Sequence, residues 1–351
     1  MPLDDPPRAP GPTLEAVARA AGVSRSTVSR VVTGSPRVSP TARHAVEEAI
    51  ERLGYVPNPA ARSLVTRRTG TVALVVREPE SRVFDEPFFG AVVRGVSQAM
   101  ARTDLQLALL LAGASPPDDP DGEHERRRIE RFLLGGHADG ALLLSLHADD
   151  PLPRDLLAAG LPVVLAGRPS TPDLDVSWVD ADNRGGGAAA TEHLLASGRR
   201  RVGVLTGPLD MVAGRDRLDG YHDAHAARGL PVVPDLQARG DFTREGGAAA
   251  MMRLLASAPD VDGVVVASDV AALGALQVLA AAGRRVPEDV AVVGFDDSIV
   301  ARSVQPALTT VRQPVEELGA RMAQLLLARL AGEATTQQVV LPTHLVVRDS
   351  G

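Results

Sequence analysis

From residue 70 onward, short apolar runs recur between stretches with helical spacing, and this alternation restricts the possible folds more than any other feature of the chain. The runs are Thr71 to Val76, Gln106 to Ala112, Gly140 to Leu146, Pro162 to Ala166, Arg201 to Thr206, Gly263 to Ala267 and Val290 to Phe295. Segments this short and this continuously apolar read as strands buried on both faces, which need helices as crossovers and as covers. Helical crossovers make the sheets parallel, and two sets of runs imply two doubly wound sheets. Ligands of open α/β sheets bind beyond the carboxyl ends of the strands, so two such units facing each other make a cleft.

The chain has 351 residues, 44% of them apolar. That is too long for one ordinary core and too apolar for disorder. With one Trp, two Tyr and six Phe, the interior must be filled by aliphatic side chains. The absence of cysteine removes disulfides, thiolate nucleophiles, iron–sulfur clusters and cysteine zinc sites together. Residues 1–12 are proline-rich and acidic and lack the pattern of a signal peptide, and no stretch offers eighteen uninterrupted apolar residues. The expectation is a soluble, cytoplasmic chain with a disordered tail over 1–12.

The net charge of -7 is unevenly spread: residues 1–70 hold ten of the 37 Arg against six acidic residues, and the remainder is strongly acidic. A small basic head on an acidic body suits a polyanion at the head. Within the head, Thr13 is placed to cap a helix carrying Leu14, Val17, Ala18 and Ala21 on one face, and Gly22 supplies a left-handed end. Ser24 caps a second helix whose inward stripe is Val28, Val31 and Val32, leaving Arg25, Ser26, Ser29 and Arg30 outside. A third helix starts at Ser39 and Pro40 and buries Ala42, Val46, Ala49, Ile50 and Leu53. Two short helices joined at a glycine and closed by a third form a helix-turn-helix unit. Set in a major groove, the second helix presents Arg25 and Ser26 to base edges, and Arg30 can reach a guanine.

The run Thr13-Leu14-Glu15-Ala16-Val17-Ala18-Arg19-Ala20-Ala21-Gly22-Val23-Ser24, followed by Ser26-Thr27-Val28-Ser29-Arg30-Val31-Val32, resembles the headpiece of the lac/gal repressor family of bacterial transcription regulators. Arg37 to Arg43 and Leu53 to Leu64 are similar to its third helix and hinge segment. The groove reading and the resemblance together give as DNA-contacting residues Thr13, Leu14, Ser24, Arg25, Ser26, Thr27, Ser29, Arg30, Arg37, Asn58, Ala61 and Leu64. Asn58 and Pro59 open a hinge helix of about two turns, too short to stand alone in water. The resemblance implies that two such helices pair in the minor groove and that Leu64 wedges between base pairs.

The body resembles the same family's effector domain, of periplasmic-binding-protein type, through motifs such as Pro87-Phe88-Phe89, Asp182-Asn183-Arg184, Arg217-Leu218-Asp219-Gly220-Tyr221, Gly240-Asp241-Phe242 and Gly294-Phe295-Asp296-Asp297. The resemblance implies a carboxylate at Asp296, at a strand's carboxyl end, and a guanidinium at Arg217, opening a helix, that bind ligand hydroxyls. It also implies an aromatic wall at Phe242 and a contact from the other lobe at Phe89. Ser268, Met211 and Ala213 complete the candidate effector site, the last two with apolar groups that disfavour a purine.

The expected organisation is α/β: a helix-turn-helix head over 13–57, a hinge helix and linker over 58–69, and an effector-binding and dimerisation domain over 70–351. The last divides into one doubly wound parallel-sheet subdomain over about 70–180 plus 312–333 and another over about 181–311 plus 334–351. The expected partners are double-stranded operator DNA, a small sugar-like effector and a second copy of the chain. No leucine heptads lie in Leu341 to Gly351, so a dimer is expected and not a tetramer. No cofactor or metal is implied.

An enzyme is disfavoured, since a P-loop, a nucleophile elbow and a dinucleotide fingerprint are all missing. His222, Asp223 and His225 could hold a metal or form a solvated helix face, and the second reading fits their charged surroundings. Arg126-Arg127-Arg128, flanked by Glu123, Glu125 and Glu130, reads as an ion-paired helix surface. The function that follows is a repressor of carbohydrate uptake or breakdown genes released by its effector. The alternatives are a corepressor-dependent regulator with a non-sugar effector and a sugar-processing enzyme fused to a DNA-binding head.

Overall fold

The computed structural model describes residues 12–32, 37–55, 68–111, 123–148, 150–171, 173–333 and 335–351. The hinge residues Asn58, Ala61 and Leu64 and residues 1–11 of the expected tail lie outside these. The chain divides into a small N-terminal unit and a large second one.

The small unit holds α1 (Leu14–Ala21), α2 (Arg25–Val32) and α3 (Pro40–Leu53). Each start is capped by the expected hydroxyl: Thr13 accepts from Ala16 N, Ser24 from Thr27 N and Ser39 from Ala42 N. Gly22, at φ 65°, ends α1 in the left-handed conformation. Val17, Ala18, Val28, Val31, Val46 and Ala49 form the core. Leu53, expected inside, is 36% exposed. It stands in the last turn of α3, and the chain turns back at Gly54 to put Tyr55 into the core instead.

The second unit has two lobes. The first begins with β1 (Thr71–Val76), α4 (Glu80–Asp85), α5 (Pro87–Met100), β2 (Gln106–Leu111) and α6 (Glu123–Phe132). It continues through β3 (Gly140–Leu144), α7 (Leu152–Ala158), β4 (Val163–Ala166) and β5 (Ser177–Ala181). The second lobe takes α8 (Asn183–Ala196), β6 (Val202–Leu205), α9 (Val212–Ala227), β7 (Gln237–Ala238) and α10 (Arg244–Ser257). It is completed by β8 (Gly263–Val266), α11 (Asp269–Ala281), β9 (Ala291–Asp296), α12 (Ile299–Ser303) and β10 (Thr309–Arg312). The chain then returns as α13 (Val315–Leu330) and ends with β11 (Gln338–Leu341) and β12 (His344–Val346).

Among the described residues there are two six-stranded sheets, ordered β11-β5-β4-β3-β1-β2 and β12-β10-β9-β8-β6-β7. The expected α/β architecture with two wound sheets is therefore present, and the central pairs are parallel. Two details differ. Gln338–Leu341 pairs with β5 in the first sheet, so residues 334–351 do not all belong to the second lobe as expected. β12 lies antiparallel to β10, because the chain leaves the first sheet at its carboxyl edge and enters the second from its carboxyl edge. The strands missed in the sequence have physical reasons too. β5 carries Ser177, which accepts from the distant Gln337 N, and Asp180, which accepts from Ala181 N; β10 begins with two threonines, and β7, β11 and β12 are edge strands of two to four residues. β3 stops at Leu144 because Ser145 turns to φ 58°.

Leu74, Val92, Leu142, Val164 and Met322 belong to the first lobe's core. In the second lobe Tyr221 is fully buried and its hydroxyl donates to Val202 O at 2.8 Å. Burying each such side chain contributes about 1.5–3 kcal/mol. No helix of the described residues is long and apolar enough to cross a membrane.

Candidate functional site

In the small unit the outward face of α2 has the expected character. Arg25, Ser26 and Arg30 are exposed, as is Arg37 beyond α2, while Thr27 and Ser29 are half-buried. Ser24 Oγ lies 2.8 Å from Ser26 Oγ and 2.9 Å from Thr27 Oγ1, so the hydroxyls at the start of α2 form one cluster. Arg25 pairs with Glu15 at 3.0 Å with both side chains largely exposed. Such a pair contributes little, so the guanidinium can exchange it for a phosphate or base edge at small cost. Leu14 is half-buried against the head's core and Thr13 is engaged as a cap.

In the second unit the chain passes between lobes three times, at Asp182, at Gln313-Pro314 and at Pro342-Thr343, each time at the carboxyl edge of a sheet. These crossings bring the strand ends of the two lobes around one cavity of about 830 Å³, counted to its open mouth. Phe89, Met211, Ala213, Arg217, Phe242, Ser268 and Asp296, the seven residues expected from sequence, all line it.

Arg217 lies in the second turn of α9 and does not open that helix as expected, since Met211 is its cap residue. Its position is pinned by close packing of α8 on α9: a Cβ at Gly187 would stand 2.4 Å from Arg217 O, and one at Gly220 2.1 Å from Arg184 O. Arg217 donates through Nε to Asn183 Oδ1 at 2.9 Å and through Nη1 to Ala267 O. Its guanidinium lies 3.7 Å from the Phe295 ring centroid and 5.3 Å from that of Phe242. Burial pushes the guanidinium below its ordinary range, and the carboxylates of Asp296, Asp180 and Asp269 oppose this.

Asp296 ends β9 at φ 119°, 3.8 Å from Arg217 Nη1, and accepts from Gln313 Nε2 at 2.6 Å. Burial raises its carboxyl to about 6, against the pull of Arg217 and Gln313. Behind it Asp269 is wholly buried, accepts from Thr310 Oγ1 and Ser298 N, and is raised to about 8 by burial and by Asp296. The charge facing the cavity is therefore a carboxylate beside an arginine, backed by a second carboxyl that burial and Asp296 hold above its ordinary range.

Phe242 stands at φ 69° with its ring against Gly207, and Ser268 Oγ donates to its carbonyl at 2.8 Å. The same Ser268 hydroxyl caps α11 by accepting from Ala271 N. Ser268 thus shapes the wall with its one proton already committed. Phe89 is 2% exposed at the start of α5 with Phe88 edge-on at 5.3 Å.

Several functional neighbours were not singled out from sequence. Arg82 lies between Glu78 and Glu86 at 2.8 and 2.7 Å, and its guanidinium reaches across the lobes to 5.9 Å from the Phe242 ring centroid. Burial raises Glu86 to about 7 despite Arg82. Arg168 joins Asp180 of the first lobe to Asp216 of the second. Asn183 was read as part of a motif without its role. Gln313, directly after β10, had no local signal.

In the charge-rich stretch at His222 and His225, Asp223 is exposed and pairs with Arg184 as expected of a solvated face, but His225 is not on it. His225 is 5% exposed, lies 4.3 Å from the Tyr221 ring centroid and bonds Tyr221 O through Nδ1. His222 meets Gln237. Neither belongs to a metal-competent cluster among the described residues. In α6, Arg126 pairs with Glu130 and Arg128 with Glu125, as expected for an ion-paired surface.

Comparison with known proteins agrees with this geometry. Residues 13–58 match the bacterial regulatory proteins of the lacI family, and residues 191–351 match the periplasmic binding protein-like domain. The chain is 53% identical over 342 residues to the HTH-type transcriptional regulator CelR of Thermobifida fusca, covering 97% of this chain and 98% of that protein. A solved CelR–cellobiose complex superposes with a TM-score of 0.77 at 51% identity, covering 97% of this chain and all of that one. The lac repressor dimer bound to operator and an anti-inducer gives a TM-score of 0.80 at 26% identity over 97% and 99% of the two chains. An α/β body with a ligand-sized cleft, a capped helix-turn-helix head and a near full-length match to a regulator lead to one conclusion: the chain belongs to the LacI family of bacterial regulatory proteins.

Proposed function

We propose that the chain acts as a homodimer that represses carbohydrate uptake or breakdown genes from a palindromic operator, and that a β-linked glucose disaccharide, cellobiose or a close relative, releases it. The observation that carries this reading is the cavity's donor set. Arg217 and Asp296 are held in place by Asn183 and Gln313 beside the Phe242 ring, and fixed charges next to an aromatic face suit a polyhydroxylated ring. The cellobiose bound to the 51% identical CelR supports the choice of sugar. On the DNA side, Arg25, Ser26, Thr27, Ser29, Arg30 and Arg37 read the major groove, with Thr13, Leu14 and Ser24 at its edge. Asn58, Ala61 and Leu64 form the hinge contact. The effector works by population shift: it favours the arrangement of lobes that closes on it, and operator affinity changes by its differential affinity for the two arrangements.

The test is a thermal-shift and operator-retardation series with cellobiose, other disaccharides and their monosaccharides, the operator being recovered by selection from random duplexes. A ligand at a hundredfold its Kd adds about 2.7 kcal/mol of stability. Cellobiose should raise the unfolding midpoint and free the operator. A midpoint unmoved by every sugar removes the carbohydrate reading, and operator binding strengthened by the sugar makes it a corepressor.

A further inference from the structure

Glu78, Arg82 and Glu86 follow one another at a spacing of four, and the turn of α4 between them brings the three side chains together. The turn runs on to the start of α5, where Glu86 N donates to Arg82 O at 3.0 Å. Arg82 Nη1 meets Glu78 Oε2 at 2.8 Å, and Arg82 Nε donates to Glu86 Oε1 at 2.7 Å. Glu86 stands at the cap position of α5, but its side chain makes no cap hydrogen bond there. Among the described residues no hydrogen bond occupies Arg82 Nη2 or Glu86 Oε2, and both residues line the cavity between the lobes. The first lobe therefore leaves a guanidinium nitrogen and a carboxylate oxygen to whatever fills that cavity.

The two halves of the cavity are built alike. The second lobe offers Arg217 and Asp296 with Phe242, and the first offers Arg82 and Glu86, with the half-buried Phe88 also in the lining. Arg82 and Arg217 lie 5.9 and 5.3 Å from the same Phe242 ring centroid, so both charge pairs border one aromatic wall and the halves adjoin. A single sugar ring held by Arg217 and Asp296 leaves Arg82 and Glu86 to water, whereas a second, linked ring can engage their remaining atoms. In the first half one guanidinium is set against two carboxylates, which leaves no cationic surplus for a phosphate and suits neutral hydroxyls.

We propose that Arg82 and Glu86 are effector-binding residues that make the protein selective for a neutral disaccharide over its monosaccharide, by holding the second ring while the first lies at Arg217 and Asp296. The proposal rests on the sugar-effector reading above. Glu86 Oε2 accepts from one hydroxyl of that ring and Arg82 Nη2 donates to another, each replacing a hydrogen bond to water that is lost when the cleft fills. Glu78, 3% exposed and outside the cavity lining, holds Arg82 in place from behind.

The test is titration calorimetry of the full chain with cellobiose and with glucose. Wild type should bind cellobiose at least tenfold more tightly than glucose. Glu86→Ala should weaken cellobiose by tenfold or more, and at least five times as much as it weakens glucose. Arg82→Lys, which keeps a charge opposite Glu78 but loses the planar fork, should also weaken cellobiose more than glucose. Glu86→Gln, which keeps the size of the side chain, should unfold at the wild-type midpoint and still lose threefold or more of the cellobiose affinity. Variants that weaken both sugars equally, or that bind cellobiose as tightly as wild type does, would overturn the role of the pair while leaving the sugar reading intact. If neither sugar binds the wild type, both fall.

Discussion

His147 of the first lobe and Asp210 of the second meet at 2.6 Å through Nδ1 and Oδ2, and the backbone N–H of Ala148 donates to Asp210 O at 2.8 Å beside them. Glu78 stands 3.8 Å from His147 Nε2, itself held by Arg82 at 2.8 Å. The nearby Glu78 carboxylate and the hydrogen-bonded Asp210 carboxylate raise the imidazole to about 9 against the opposing effect of burial. This contact ties the lobes at the mouth of the cleft.

A folded-state value above the ordinary 6.5 means that the stability from this contact is complete below pH 6.5 and is lost as pH rises through about 9. Glu86, Asp296 and Asp269, with carboxyls raised to about 7, 6 and 8, also lose stabilisation as pH rises, so the wild type alone does not isolate the histidine. Comparing unfolding midpoints of wild type and His147→Ala between pH 6 and 9.5 does so. The gap between them should be widest at pH 6 and narrow toward pH 9.5; a constant gap would show that His147 contributes only packing.

Asp296→Ala should leave operator binding intact and abolish the response to effector. A hydrogen bond to a charged acceptor contributes about 1.5–3 kcal/mol, so losing it should lower effector affinity at least tenfold. Gln313→Ala, which frees the same carboxylate without removing it, should weaken the effector by a smaller factor. Calorimetry with effector and an operator titration read the two effects separately, and lost operator binding would reassign Asp296 to the structure of the lobe.

Gly207→Ala tests the aromatic wall. Its Cβ would stand 2.2 Å from Phe242 Cε1, so the ring must move away from Arg217. Effector affinity should fall by tenfold or more with operator affinity within twofold of wild type. Unchanged calorimetry would show that the ring does not touch the ligand.

Arg30→Ala should cost roughly 1–3 kcal/mol of specific operator binding and relax preference at one guanine. Retardation assays on operator and on random duplex separate the outcomes: an equal loss on both would mean that Arg30 meets only phosphate.

Much of this was legible in the linear chain because the signals are local. The caps at Thr13, Ser24 and Ser39, the glycine at 22 and the apolar runs of β1, β8 and β9 each act within a few residues. Motif resemblance carried Arg217, Phe242 and Asp296 to one cavity. What only the tertiary structure decided depends on chain crossings far apart in sequence. Asn183 reaches Arg217 across 34 residues, Gln313 reaches Asp296 across 17, and Arg168 reaches Asp216 across 48. β11 pairs with the first sheet because the last crossing falls after Leu341, a boundary that no composition shift marks. His147 meets Asp210 for the same reason: two loops without periodicity become neighbours only when both sheets point their carboxyl ends at one cleft. Local propensity specifies elements, while the partners of a buried charge are specified by where those elements end.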